Sequence, residues 1–177
     1  SKTSAEIITN FYRAIREAAG DDTVLIGCAT ISHLSAGLVE LGRTGADVNG
    51  MSWDITRRMG VNTLAFRMMQ HGAFYDVDAD CVGITGEIPW AQVGLWLDIL
   101  SRSGTPLFVS CKPGILTDAQ LAELREAYAR NSVQRDKLIP LDWMENICPE
   151  RWLLNGREIH YDWFADDVSV MFAGKSL

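Results

Sequence analysis

Two short runs constrain the fold of this chain more than anything else in it: TVLIGCAT, residues 23–30, and TPLFVSC, residues 105–111. A strand with one wet face alternates apolar and polar side chains. These runs are apolar almost throughout, the pattern of strands covered on both faces in a parallel sheet. Parallel neighbours cannot be joined by a tight turn and need a crossover of a dozen or more residues, usually a helix. The rest of the sequence supplies such crossovers. TSAEIITNFYRAIREAAG predicts a helix, with Thr3 and Glu6 as a capping box, Ile7, Ile8, Phe11, Tyr12 and Ile15 as an apolar stripe, and Gly20 as the stop. SHLSAGLVEL predicts a short helical turn, and SWDITRRMGVNTLAFRMMQH a mainly helical stretch opened by Ser52. IPWAQVGLWLDILSRSG predicts a helix between Pro89 and Gly104, and TDAQLAELREAYARNS another, with Thr117 and Gln120 as its capping box.

With FYDVDADCVGI as a further strand, helices and strands alternate, which predicts the α/β class with parallel strands and right-handed crossovers. Four such units make half of an eight-stranded (β/α)8 barrel or a small open sheet. The texture changes after residue 136. LIPLDW and RWLLNGREIHYDWF are rich in aromatics, Asn155-Gly156 is a type I′ hairpin signal, and DVSVMFAG could add a strand. The expected organisation is therefore a βα portion over residues 1–135 and a partial antiparallel β appendage over 136–177.

Composition excludes several function classes. A formal net charge of -7 argues against nucleic acid or an anionic membrane as the main partner. No apolar run approaches the ~20 residues of a membrane span, and no signal-peptide pattern opens the chain, so the compartment stays open. No Gly-rich phosphate loop follows any strand, and His33, His71 and His160 lack metal-ligand spacing, so no cofactor or metal is expected. Cys28, Cys81, Cys111 and Cys148 form no Cys-x-x-Cys pair, and three of them lie in or beside apolar runs as expected buried thiols. Trp53, Trp90 and Trp96 are expected in the core, and Trp143, Trp152 and Trp163 between the appendage and the βα portion.

In a barrel, chemistry sits at the carboxyl ends of strands. Polar residues crowd there: Cys28, Arg43 and Asp47, Asp76 to Asp80, and Ser110 to Lys112. Arg43 and Asp47 have the spacing of an ion pair, structural or catalytic. Asp76, Asp78 and Asp80, two residues apart, would share one face of an extended strand and repel unless they meet cations, a metal or a polyhydroxylated ligand. With Glu87 they also occupy positions 1, 3, 5 and 12 of an EF-hand calcium loop. Against calcium stand Cys81 where the loop needs Gly, Gly83 in place of an apolar residue, and Pro89 at the start of the exit helix.

Four segments, in order, resemble the melibiase group of glycoside hydrolases, the α-galactosidases and α-N-acetylgalactosaminidases. LIGCAT resembles that family's fifth barrel strand. GRTGADV resembles the sixth-strand motif of an Arg and, four residues on, the acid/base Asp. YDVDADCVGI resembles the seventh-strand Asp-Pro-Asp segment with Ala79 in place of Pro, and SGTPLFVSC the eighth strand. The likeness covers about residues 5–132 and implies the second half of a TIM-type barrel, strands five to eight, followed by the start of a C-terminal β-domain.

The resemblance implies roles for individual residues. Asp47 would be the general acid/base, and Arg43 would contact and orient the sugar. Asp80 would line the sugar subsite with Asp78 supporting it, and Cys28 would lie against the ring. The implied substrate is an α-galactoside or related carbohydrate, cleaved with retention by a carboxylate pair. The family's nucleophile belongs to a strand before residue 1, so the chain is expected to be part of a longer enzyme. It would need a missing barrel half or a second chain, and would be inactive alone. Two other readings stay open: a non-catalytic carbohydrate-binding or interaction module, and a calcium-binding protein through Asp76–Glu87.

Overall fold

The computed structural model describes residues 1–134 and 136–165. Helix α1, Ser4–Ala19, begins at a formed capping box. Thr3 accepts from the Glu6 amide and the Glu6 carboxylate accepts from Thr3 N–H, and Gly20 ends the helix. Strand β1, Ile26–Cys28, leads through the short α2, Ser32–Ser35, to β2, Leu41–Arg43. The next crossover is continuous but irregular: α3, Trp53–Ile55, a π-helical turn over Thr56–Val61, α4, Asn62–Phe66, and a 3₁₀ turn at Met68–Gln70. Gly60 lies in the π turn, where a Cβ would sit 2.6 Å from the Trp96 ring, so glycine lets that indole close on the helix.

Strands β3, Asp76–Asp78, and β4, Val82–Ile84, are successive pieces of one run, interrupted at residues 79–81. Helix α5, Trp90–Arg102, follows, then β5, Val109–Cys111, and α6, Asp118–Val133, which starts on the Thr117–Gln120 capping box. Strands β1, β2 and β3 pair in parallel in that order, and β4 pairs in parallel with β5. Among the described residues no sheet closes into a barrel.

Beyond α6, β6, Ile139–Pro140, β7, Arg151–Leu154, and β8, Arg157–His160, form an antiparallel sheet. Asn155 and Gly156 both have positive φ, 52° and 74°, the type I′ geometry that an Asn-Gly pair favours. The expected strand DVSVMFAG lies outside the described residues.

The core lies toward the later half of the chain. It gathers Val93, Trp96, Ile99 and Leu100 of α5, Val82 and Ile84 of β4, Val61 and Leu64, and Trp152, Tyr161 and Trp163 of the appendage. Both Trp152 and Trp163 donate their indole N–H to the Pro149 carbonyl, at 2.8 and 2.6 Å, which satisfies their polar atoms inside an apolar cluster. Tyr161 reaches across to α5, donating to Asp98 Oδ2 at 2.8 Å, where Arg102 and Arg130 also converge. Burial alone would push the Asp98 carboxyl up. Hydrogen bonds from Arg102 and Tyr161, with the two guanidinium charges, outweigh it and hold Asp98 below the ordinary range.

Three expectations need correction. Trp143 is not enclosed: it meets Phe66 edge-on but stays half exposed. Of the thiols expected to be buried, Cys28 is exposed and Cys81 and Cys111 are half-buried, while Cys148 is buried. The stripe on α1 is apolar but uncovered: Ile7, Phe11 and Ile15 are all exposed, and no residue of the helix is fully buried against the other described residues.

Candidate functional site at the strand ends

The parallel register lines up the last residues of three adjacent strands. Cys28 is opposite Arg43, and Arg43 is opposite Asp78. Past this row the chain bends twice, in the loop at residues 44–50 and at residues 79–81. The bends bring two more acids to the same guanidinium. Arg43 Nη1 lies 2.6 Å from Asp47 Oδ1 and 3.3 Å from Asp80 Oδ2. Burial favours the neutral form of Arg43, but the charges of Asp80, Cys28 and Asp47 overcome it, and Arg43 titrates above its ordinary value.

Asp78 is buried and accepts the Asp80 amide at 2.8 Å. Burial pushes its carboxyl up; the Asp80 amide and Arg43 oppose that, and the Asp80 charge adds to it. Asp80 itself has φ 73°, uncommon outside glycine although Asp is among the residues that adopt it most readily. That backbone turn ends the strand period after β3, so Asp80 leaves the face that all three acids were expected to share. Asp76 instead lies at the far end of β3, exposed, 3.8 Å from His71 Nδ1.

The loop carrying Asp47 is fastened along its length. The Val48 amide donates to Asp80 Oδ2 at 2.7 Å, and its carbonyl accepts from the Cys81 thiol at 3.4 Å. Burial and the neighbouring Asp80 push that thiol up to about 11. Gly50 and Gly83 meet backbone to backbone, since a Cβ on Gly83 would fall 2.5 Å from the Gly50 nitrogen. The Thr85 hydroxyl donates to the Gly50 carbonyl at 2.6 Å. A Cβ on Gly45 would collide with Thr63 Oγ1. What projects from this seated loop is Asp47, its side chain 73% exposed. Nearby, Arg43 Nε and Thr44 Oγ1 are buried without a hydrogen-bond partner. Each such group costs about 1–3 kcal/mol, and orphans of this kind call for an explanation, a functional role among them.

Structure thus brings together the five residues singled out in the sequence, Cys28, Arg43, Asp47, Asp78 and Asp80. It leaves Glu87 apart, exposed in the turn before α5, and Ser110 and Cys111 on β5, which borders β4 rather than the row. Among the described residues no group of three acids, histidines or cysteines is placed to hold a metal ion. Sequence reasoning missed the seat of the loop: Val48, Gly50, Cys81, Gly83 and Thr85. The glycines in GADVNG and CVGIT were its one visible sign.

Chemically, the row offers one accessible carboxylate beside a fixed guanidinium. A retaining glycosidase needs two carboxyl groups about 5–5.5 Å apart. Asp80 flanks the same Arg43 nitrogen as Asp47, but both its oxygens already accept hydrogen bonds. Compared with protein-family models the chain matches none, and no curated protein matches it in sequence.

Proposed function

We propose that this chain carries the acid/base half of a carbohydrate-cleaving site of the α-galactosidase type, on the second half of a (β/α)8 barrel. The observation that carries the reading is Asp47, exposed at the tip of a seated loop and paired to Arg43 beyond the row Cys28–Arg43–Asp78. The motif order that resembles the melibiase group supports it. In this reading Arg43 orients a sugar hydroxyl and the Asp47 carboxylate, and protonated Asp47 gives its proton to the leaving oxygen. The same residue as carboxylate then takes a proton from the attacking water. The nucleophilic carboxylate comes from outside this chain, from the other barrel half or a second chain.

Aryl α-galactosides of graded leaving-group ability test the assignment in the native full-length protein. Read as kcat/KM, which reports the first step alone, Asp47→Asn should abolish cleavage of galactosides with poor leaving groups and spare activated aryl galactosides far more, because only the former need the proton. Equal loss of kcat/KM on both classes, or wild-type values on both, overturns the role of Asp47.

A carbohydrate-binding module without catalysis is the second reading. It is favoured by the engagement of Asp80 and the burial of Asp78, which leave Asp47 without an accessible carboxylate partner in this row. Calorimetry with galactose separates the two: saturable binding together with wild-type inactivity on every aryl galactoside selects the module.

A further inference from the structure

The resemblance puts Asp80 among the sugar contacts, but its surroundings give it other work. Its Oδ1 accepts the Cys81 amide at 2.8 Å, and its Oδ2 accepts the Val48 amide at 2.7 Å and Arg43 Nη1 at 3.3 Å. The side chain is only 16% exposed. Few lone pairs remain for a ligand, and little surface through which to reach one. The backbone is held in a costly conformation, φ 73°, with its amide on Asp78 Oδ1 at 2.8 Å. Strain of this kind persists only where the surroundings over-determine it. Here it turns the carboxylate away from the strand direction and toward the base of the 44–50 loop.

We propose that Asp80 is a positioning residue that latches the loop at residues 44–50 through the Val48 amide. Through the shared Arg43 it also fixes the direction of the Asp47 carboxylate. The latch is one residue removed from Asp47 along the chain and one guanidinium removed from it in space. Loss of the latch therefore loosens Asp47 without removing any group from the reaction. The functional half of this inference rests on Asp47 being the acid/base; the latch itself does not.

The test is Asp80→Asn in the native full-length protein, read by amide hydrogen exchange and by turnover of aryl α-galactosides. An asparagine has one acceptor oxygen, so in either orientation of its amide it loses the Cys81 bond or the Val48 and Arg43 bonds. Exchange at residues 45–50 should accelerate at least about tenfold while Ile99 and Leu100 in α5 stay unchanged. The value of kcat should fall more than KM rises, and more for poor leaving groups than for activated ones, a pattern that simple loss of stability does not produce. Unchanged exchange at residues 45–50 with weakened galactose binding makes Asp80 a sugar contact and overturns the latch. Should the variant not fold, the wild-type Val48 amide decides: protection of roughly 100-fold or more, unusual for a loop, supports the latch, and free exchange refutes it. A wild-type protein inactive on every galactoside sinks the glycosidase reading, and exchange still decides the latch.

Discussion

Gly83→Ala probes the seat of the Asp47 loop with a single methyl group. Its Cβ would lie 2.5 Å from the Gly50 nitrogen, 2.6 Å from Gly50 Cα and 2.8 Å from the Asn49 carbonyl carbon, all backbone atoms that no rotamer change can move. Carbon contacts are favourable near 3.5–4.0 Å, so the two chains must part by roughly 1 Å. One option moves β4 off β5, where Gly83 is opposite Ser110. The other lifts the loop, which breaks the Thr85–Gly50 hydrogen bond and strains the Val48–Asp80 bond. The first of those bonds is worth about 0.5–1.5 kcal/mol and the second, to a carboxylate, about 1.5–3 kcal/mol. Overpacking by one methyl costs about 1–3 kcal/mol elsewhere, so a loss of about 2–3 kcal/mol is expected.

Urea unfolding reads that loss. With a slope of about 1–3 kcal/mol/M, the midpoint should fall by about 1 M. Gly94→Ala is the control, since Gly94 lies within α5 and a Cβ there meets nothing within 4 Å. It should gain about 0.5–1 kcal/mol from the better helix propensity of alanine. A Gly83→Ala protein within about 0.5 kcal/mol of wild type, ordinary for a surface substitution, would show that the loop does not rest on β4 and would remove the physical basis for a fixed Asp47.

Other perturbations test other parts of the structure. Tyr161→Phe removes one of the hydrogen bonds on Asp98 but leaves Arg102 and Arg130 in place, so a loss of about 1–2 kcal/mol is expected at neutral pH. Because the folded protein holds Asp98 low, its contribution is present above the ordinary carboxylate pKa and fades as pH falls through the depressed one. The difference between wild type and Tyr161→Phe should therefore shrink in acid, and a difference that grows there refutes the linkage. Asp78 has the opposite sign: the fold favours its protonated form, so stability is lost as pH rises through the raised pKa. Asp78→Asn keeps the acceptor for the Asp80 amide and should match wild type near pH 4 but exceed it at pH 8 in paired urea titrations; the reverse order would be inconsistent with a buried, raised carboxyl. Thiol labelling of the native protein at pH 8 should reach Cys28 first, because it is exposed. It should spare Cys81 and Cys148, whose thiols burial pushes up to about 11 and about 12. Fast labelling of Cys148 would mean that the appendage opens readily.

How far the sequence could be read depends on the range of the physics at each point. Helix ends were legible because capping is local: Thr3 with Glu6 and Thr117 with Gln120 form boxes, and Asn155-Gly156 forms its turn. The gathering of Cys28, Arg43 and Asp78 was half legible, since each ends an apolar or β-branched run and parallel pairing then sets them in one row. The alternation of Asp76, Asp78 and Asp80 misled, because period two holds only while every residue stays extended. Aspartate tolerates positive φ better than most residues, but that alone does not announce the turn, which is held by the Val48 amide and Arg43, far away in the sequence. The α1 stripe misled in another way. Amphipathic spacing states which face of a helix is apolar but not what lies against it, and Ile7, Phe11 and Ile15 are left exposed beside an edge strand. The same distinction governs the site. Residue types and spacing nominated Arg43 with its four companions, but only tertiary contact separates Asp47, presented to solvent, from Asp80, whose oxygens are already bound. Two aspartates that look alike in sequence differ in the hydrogen bonds each has left to accept.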